Sequence, residues 1–185
     1  MNESSFTELT TVVAPPATPY LGDGSWDGLV EELGTALPAE YVALMKRYGG
    51  GSWLHFLYFY TPLRINRFLN RARNFAKGYV YQQELVIDAG ATPMQVWPEP
   101  GGFLPFANDA NAGTLGWVMT GPPDEWPLLL VSREHWDFPL PGGLVDTLLD
   151  WARGGRPVSE FPVLGGDDDL VQEAVFTPWD AGAAW

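Results

Sequence analysis

Apolar residues recur at helical spacing in the first third of the chain. Between Ser25 and Gly34, apolar side chains fall at i, i+3, i+4 and i+7 within the range 26–33. The same spacing returns within 41–48, behind Pro38 and ahead of three consecutive glycines. Serine is a favoured N-cap, proline fits the first helical turn, and glycine commonly ends helices. The pattern therefore predicts two short amphipathic helices in succession.

An aromatic run and a third helical pattern follow. The run Trp53–Tyr60 lies between Gly51 and Pro62, which is typical of a strand. Helical spacing resumes over Ile65–Ala76, with apolar side chains on one face and arginines on the other, and Gly78 is the predicted end. This part of the chain therefore predicts one strand followed by one amphipathic helix.

Beyond Pro93 the pattern changes to short apolar runs separated by turns rich in glycine and proline. Runs of this length and spacing are typical of consecutive antiparallel strands. Four strands are predicted: 94–97, 102–107, 114–120 and 126–131.

A last helix is predicted over Gly143–Arg153. Because strands and helices are segregated along the chain, the fold class is α+β, with a mainly antiparallel sheet of about five or six strands flanked by helices. We expect a flexible N-terminal lead-in over 1–20, one α+β domain over 21–160, and an acidic C-terminal extension over 161–185 that packs in part on the domain. Within the extension, Leu170–Phe176 fits either a strand or a helix.

Length and composition support a single folded unit. A chain of 185 residues that is 46% hydrophobic can bury a sizeable core. The residues on the apolar faces of the predicted elements should be mostly buried. They are Trp26, Leu29, Leu33, Tyr41, Leu44, Met45, Phe68, Leu69, Phe106, Trp117, Leu129, Leu148 and Leu149.

The charge balance limits the partners. There are 23 acidic and ten basic residues, for a net charge of −13, which repels nucleic acid and anionic membranes and favours a basic partner. Half of the bases lie within 64–77, which contains no acid: Arg64, Arg67, Arg71, Arg73 and Lys77. Since like charges cannot share a dry core, we expect Arg67 and Arg71 to be exposed on one helix face, with acids from another segment nearby.

The compartment is also constrained. No apolar run is long enough to cross a bilayer, and the N-terminus lacks the features of a secretion signal. The absence of cysteine excludes disulfides, thiol catalysis and cysteine-ligated metals. We therefore expect a cytoplasmic protein with no membrane partner.

A search for catalytic chemistry finds no nucleophile elbow, P-loop, zinc-protease motif or dinucleotide fingerprint. His55 and His135 are expected to be structural, since nothing brings them together with a carboxylate to bind metal. The segment Asp109–Gly113 departs from a calcium loop and favours a polar turn. Asp167–Asp169 favours a solvated loop over a cation site. No catalytic, cofactor-binding or metal-binding residue is predicted, and the protein is expected not to be an enzyme.

Acids beside aromatic residues are the better candidates for function. Tryptophan dominates interface energetics, and acids beside it suit a basic partner. The alternative is that these tryptophans are core residues next to surface loops. The partner-binding candidates are Asp109, Asp124, Glu125, Trp126 and Asp137.

The joint order of several motifs resembles the SMI1/KNR4 (SUKH) superfamily. The matching segments span about 24–155. The first part is a helix from Trp26, then Leu37-Pro38, and a tyrosine-bearing helix from Tyr41 that ends in Gly49–Gly51. The second part is the stretch Phe103–Asp109 followed by Gly113 and Leu115–Trp117, then Trp126-Pro127, and a closing helix over Gly143–Gly154.

The resemblance implies an α+β fold with an antiparallel sheet and a non-enzymatic role. Bacterial members are typically immunity proteins that bind and neutralise a toxin, often a nuclease, of a polymorphic or contact-dependent toxin system. Eukaryotic relatives are regulators and scaffolds. The first hypothesis is therefore a cytoplasmic immunity protein with a basic toxin partner, and the second an interaction scaffold without a toxin partner. An enzyme with an unrecognised acid site is the least favoured hypothesis.

Overall fold

The computed structural model describes residues 3–88, 92–166, 171–180 and 182, which contain five α helices and seven strands. The helices are α1 (Glu3–Val12), α2 (Trp26–Leu33), α3 (Ala39–Tyr48), α4 (Ile65–Asp88) and α5 (Leu144–Ala152). The strands are β1 (Gly51–Trp53), β2 (Leu57–Phe59), β3 (Phe103–Asp109), β4 (Thr114–Val118), β5 (Leu128–Val131), β6 (Asp137–Pro139) and β7 (Phe176–Pro178). A short 3₁₀ turn covers Pro123–Glu125.

The strands form one sheet in the order β6-β5-β4-β3-β2-β1-β7, and each neighbouring pair is antiparallel. The first six strands follow chain order as a meander, and β7 returns from the C-terminal segment to pair with β1. Both edge strands carry a proline, Pro139 and Pro178, which cannot donate to a further strand. The predicted α+β class and antiparallel sheet are confirmed.

Helices cover both faces of the sheet. On one face, Tyr41 of α3 packs edge-on against Trp117 with ring centroids 4.9 Å apart, and the apolar residues of α5 join the same core. On the other face, Phe75 of α4 lies 5.0 Å from Phe103, within a smaller apolar cluster. A bulge at Phe106 shifts the register between β3 and β4, so Phe106 also packs on the α3 side.

The core agrees closely with the sequence analysis. Every predicted core residue is buried except Trp26, which is half-buried against the main cluster. Helices α2 and α5 follow their predicted patterns, with Ser25 accepting a capping bond from the N–H of Gly28 at 3.1 Å. Amphipathic spacing therefore identified these elements correctly, because each buries one stripe of side chains.

The aromatic run is two strands rather than one. Leu54 and His55 have φ angles of 51° and 57°, which turn the chain back between β1 and β2. Left-handed conformations at two successive residues are those of a tight hairpin turn. The prediction of one strand over Trp53–Tyr60 was wrong because a turn without glycine leaves little signal in the sequence.

Helix α4, which the sequence predicts over Ile65–Ala76, continues beyond its predicted end. Gly78 lies inside α4, which reaches Asp88. Tyr79 is buried against Phe103 and its neighbours, and such tertiary packing can outweigh the cost of about 1 kcal/mol for a glycine inside a helix. The strand predicted over 94–97 is also absent from the described residues, where Val96 makes a single parallel bridge to Phe103.

The terminal segments contain more structure than expected. The lead-in predicted over 1–20 contains α1, which packs on α5 and buries Leu9 and Val13 completely. The C-terminal end of α1 is held by Tyr48, whose hydroxyl donates a hydrogen bond to the carbonyl of Val13 at 2.7 Å. In the C-terminal extension, the described part of Leu170–Phe176 enters a strand only at Phe176. The domain boundaries themselves stay predictions.

Candidate partner interface

The five partner-binding candidates lie at two ends of the sheet. Thr114 pairs with Val131, which pairs with Asp137, and Asp109 directly precedes the turn into β4. Asp109 and Asp137 therefore belong to one end, which we call the turn end. Asp124, Glu125 and Trp126 lie between β4 and β5 at the opposite end, which we call the groove end. The structure does not bring the five residues together on one surface.

At the turn end, Asp109 has a structural role. Its side chain is 5% exposed and accepts hydrogen bonds from the N–H groups of Asn111 at 2.8 Å and Gly113 at 2.6 Å. Burial raises the pKa of this carboxyl, and the two backbone hydrogen bonds oppose that shift. A Cβ at Gly113 would lie 2.3 Å from the carboxylate, so any larger residue there would displace the Asp109 side chain from its position. The segment is a polar turn, as the sequence analysis favoured.

Asp137 lies on the edge strand β6 and is exposed. Partial burial of its carboxyl raises the pKa, and the neighbouring His135 lowers it. Trp136 beside it is 53% exposed, so an acid and an aromatic side chain do share this edge. Trp136 and Asp137 are accessible, but they lie at the opposite end of the sheet from Trp126, the aromatic partner-binding candidate.

At the groove end, Asp124 closes the start of a helix. Its Oδ1 accepts the N–H of Ala39 at 2.6 Å, and Pro38 at the N-cap has no side-chain acceptor of its own. A carboxylate at a helix N-terminus satisfies a free donor and complements the helix dipole. Asp124 therefore caps α3 from 85 residues away, while the neighbouring Glu125 is exposed.

A second long-range cap was missed by sequence reasoning. Glu40 accepts the N–H of Leu144 at 2.7 Å through Oε1 and that of Val145 at 3.4 Å through Oε2. The N-cap of α5 is Gly143, which has no side chain to do this. Glu40 and the Leu37-Pro38 motif are therefore explained by folding. The only signal in the sequence is a glycine where a capping side chain is usual.

Trp126 is largely buried. Only 8% of it is exposed, and its indole N–H donates to the carbonyl of Gly121 at 3.1 Å. Its ring lies 6.3 Å from that of Trp117, at the margin of the main core. This outcome agrees with the alternative that the tryptophans are core residues beside surface loops, although one edge of Trp126 still lines a surface depression.

That depression, here called the tryptophan groove, has a volume of about 300 Å³. Glu99 is the acid in its lining, and three further acids are chain neighbours of lining residues, because Glu32 precedes Leu33 and Asp124-Glu125 precede Trp126. Trp97 and Glu99 were missed by the sequence analysis, which assigned Trp97 to a predicted strand over 94–97 that the structure does not form. The groove is lined by Leu33, Gly34, Thr35, Trp97, Pro98, Glu99, Pro100, Gly101, Met119, Gly121 and Trp126.

The basic segment packs on aromatic rings. Arg67 is exposed as predicted, whereas Arg71 is half-buried with its guanidinium 4.8 Å from the Tyr60 ring centroid. Burial raises the pKa of Tyr60 and the nearby Arg71 lowers it. Arg73 lies 5.7 Å from the Trp97 ring centroid, on exposed helix surface. Contacts of this kind hold a cation against an aromatic face.

The remaining candidates for chemistry are dispersed. His135 contacts Gln82 and lies edge-on to Tyr79 at 5.4 Å, whereas His55 is exposed in the β1–β2 turn. Across the described residues, no group of three or more His, Asp or Glu side chains could hold a metal ion. Asp167–Asp169 lies outside the described residues. In the described part of the chain, no helix combines the length and apolarity needed to span a membrane.

Comparison with known proteins gives one match. Residues 25–140 match the model of a family described as SMI1-KNR4 cell-wall. No curated protein and no solved structure matches this chain. The matched range extends from the start of α2 to just beyond β6 and includes both ends of the sheet.

Proposed function

The chain belongs to the SMI1/KNR4 (SUKH) superfamily, and from this premise we propose that it is a non-enzymatic immunity protein. In this proposal it binds and neutralises the toxin domain of a polymorphic or contact-dependent toxin system, in the cytoplasm of the cell that makes it. The observation that carries the proposal is the family match over residues 25–140, since bacterial members of this superfamily typically have that role.

The charge of the molecule supports a basic toxin domain as partner. A net charge of −13 attracts a positively charged surface from a distance and raises the association rate. A nuclease fits this requirement because its active site is basic in order to hold phosphates. An acidic inhibitor that covers such a site blocks the enzyme sterically and needs no chemistry of its own.

The second candidate function is an interaction scaffold or regulator without a toxin partner. The description of the matched family as cell-wall favours it, since that description names no toxin. A scaffold would bind proteins of the same cell whether or not a toxin is present.

Co-expression separates the two functions. The protein is tagged and produced together with the product of the neighbouring gene, and the complex is isolated by affinity and size-exclusion chromatography. We expect a stoichiometric complex and survival of cells that otherwise die from the toxin. Association should slow by about tenfold between 50 and 500 mM salt, because salt screens charge steering. A neighbouring gene that encodes no toxin, together with capture of housekeeping proteins, would favour the scaffold.

A further inference from the structure

The tryptophan groove combines an aromatic lining with a negative rim. Trp97 and Trp126 line it with 6% and 8% of their surface exposed, so the surrounding structure holds both rings in place and leaves a small part of each accessible. Glu99 in the lining and Glu125 next to Trp126 in the chain are exposed, and none of the lining residues is basic. At about 300 Å³ the groove suits one or two side chains rather than a large cofactor.

Helix α2 adds to the negative potential at the groove. Its C-cap, Gly34, lines the groove, and a Cβ there would meet no atom within 4 Å. A helix C-terminus carries a partial negative charge and normally attracts basic residues. The last turn of α2 has none and instead contains Glu31 and Glu32. These acids are unfavourable for the isolated helix, and a cation at the groove would offset that cost.

One aromatic side chain of the groove already contacts a guanidinium. The Arg73 Cζ lies 5.7 Å from the centroid of the Trp97 ring, although Arg73 does not line the groove. A planar guanidinium stacks on aromatic surfaces and also forms paired hydrogen bonds with carboxylates. A lysine ammonium can do only part of this, since it is a compact and strongly hydrated charge.

We propose that the tryptophan groove receives an arginine side chain from the basic partner. The flat guanidinium packs against the exposed parts of the two indole rings, and Glu99 in the lining and Glu125 next to Trp126 in the chain accept its N–H groups. The inference rests on the proposed function in one respect, namely that the partner is basic. It names the part of this chain that recognises the partner, and it moves the interface away from the turn end.

A short peptide tests the groove without knowledge of the toxin. Acetyl-Gly-Arg-Gly-amide is titrated to about 10 mM into nitrogen-15-labelled protein, a range suited to a single side-chain contact. Amide and indole N–H signals are followed by NMR. We expect the largest shifts at the indoles of Trp97 and Trp126 and at the amides of Glu99 and Gly101. The citrulline peptide, a neutral isostere, should leave them unchanged, and the lysine peptide should bind more weakly.

A matched pair of double variants assigns the effect to the groove. Glu99→Gln with Glu125→Gln should weaken peptide binding by about fivefold, because two rim charges are lost. Glu134→Gln with Glu173→Gln removes the same charge from exposed positions outside the groove and should leave binding within about twofold. Equal weakening by both pairs, shifts spread over the acidic surface, or no shift at the highest peptide concentration would each overturn the proposal.

The two proposals fail in different ways. If a toxin domain binds the wild type and the Glu99→Gln/Glu125→Gln variant equally well, the groove is not the recognition site although the immunity function holds. If the arginine peptide binds in the groove but no toxin is found, the groove stands and the immunity function fails. A toxin arginine whose change to alanine abolishes the effect of the two glutamates in a double-mutant cycle would support both.

Discussion

The two ends of the sheet use acidic residues for different purposes. At the turn end, Asp109 is buried and its carboxylate is occupied by backbone N–H groups of its own turn. At the groove end, Glu99 in the lining of the aromatic depression and Glu125 next to Trp126 in the chain are both exposed. Acids in similar sequence surroundings can therefore be assigned to folding or to recognition only when their burial and hydrogen-bond partners are known.

Asp124 is intermediate between these two roles. It is exposed at the groove end, yet its carboxylate caps α3 through the N–H of Ala39. A substitution there therefore changes stability and surface charge together. Glu125, its neighbour, changes surface charge with far less effect on the fold, which makes it the better probe of recognition.

The largest expected effect is at the turn end. Asp109→Ala should lower the free energy of unfolding by about 2–4 kcal/mol, because it leaves the N–H groups of Asn111 and Gly113 without their acceptor. Asp109→Asn keeps one carbonyl oxygen and should cost less. Urea melts at pH 7 measure both. A loss below about 1 kcal/mol for Asp109→Ala would mean that water replaces the carboxylate and that this acid is not needed for folding.

The next effect tests the intermediate case. Asp124→Ala should cost about 1 kcal/mol, since it removes the cap of α3, and Glu40→Ala should cost a similar amount at α5. Glu125→Ala is the matched control for Asp124→Ala and should change stability little. Thermal and urea melts of the three variants provide the comparison. If Asp124→Ala and Glu125→Ala behave alike, the capping role of Asp124 is refuted.

A pH series distinguishes the buried acid by the sign of its effect. Burial raises the pKa of Asp109 in the folded protein, so folding disfavours its charged form. The stability of the wild type relative to Asp109→Asn should therefore rise as the pH falls from 7 through the raised pKa toward that of an unfolded aspartate. The same comparison for Glu125→Gln serves as an exposed reference. A wild type that loses stability relative to Asp109→Asn on acidification would show that the backbone hydrogen bonds dominate over burial.

Local patterns in the sequence predicted the fold better than they predicted the site. Helices α2 and α5 and the strands β3–β5 each carry their own periodicity and turn residues, so a short window is enough to identify them. Strand β7 was not predicted as such because it is stabilised by pairing with β1, more than a hundred residues earlier in the chain. A three-residue strand has too little pattern of its own to be recognised.

The site was harder because its contacts are long-range. Asp124 and Glu40 cap helices 85 and 104 residues away, and neither distance can be inferred from local spacing. Trp126 was a partner-binding candidate with a core position as the alternative, and packing near Trp117 buries most of it. What the sequence did indicate was the chemistry, namely acids beside tryptophan. Which acids face solvent depends on how distant segments meet.

The smallest expected change in stability is that of the two exposed glutamates at the groove end. Glu99→Gln with Glu125→Gln should change the free energy of unfolding by less than about 0.5 kcal/mol, because exposed acids outside special contacts contribute little to stability. Removing two charges from the crowded negative rim can even raise stability slightly, since like charges repel there. Urea melts at low and high salt separate the repulsion between like charges, which salt screens, from the other effects of the substitutions on stability. A loss of unfolding free energy above about 1 kcal/mol would show that these glutamates, like Asp109, stabilise the fold. The proposal that the groove end is the recognition surface would then be contradicted.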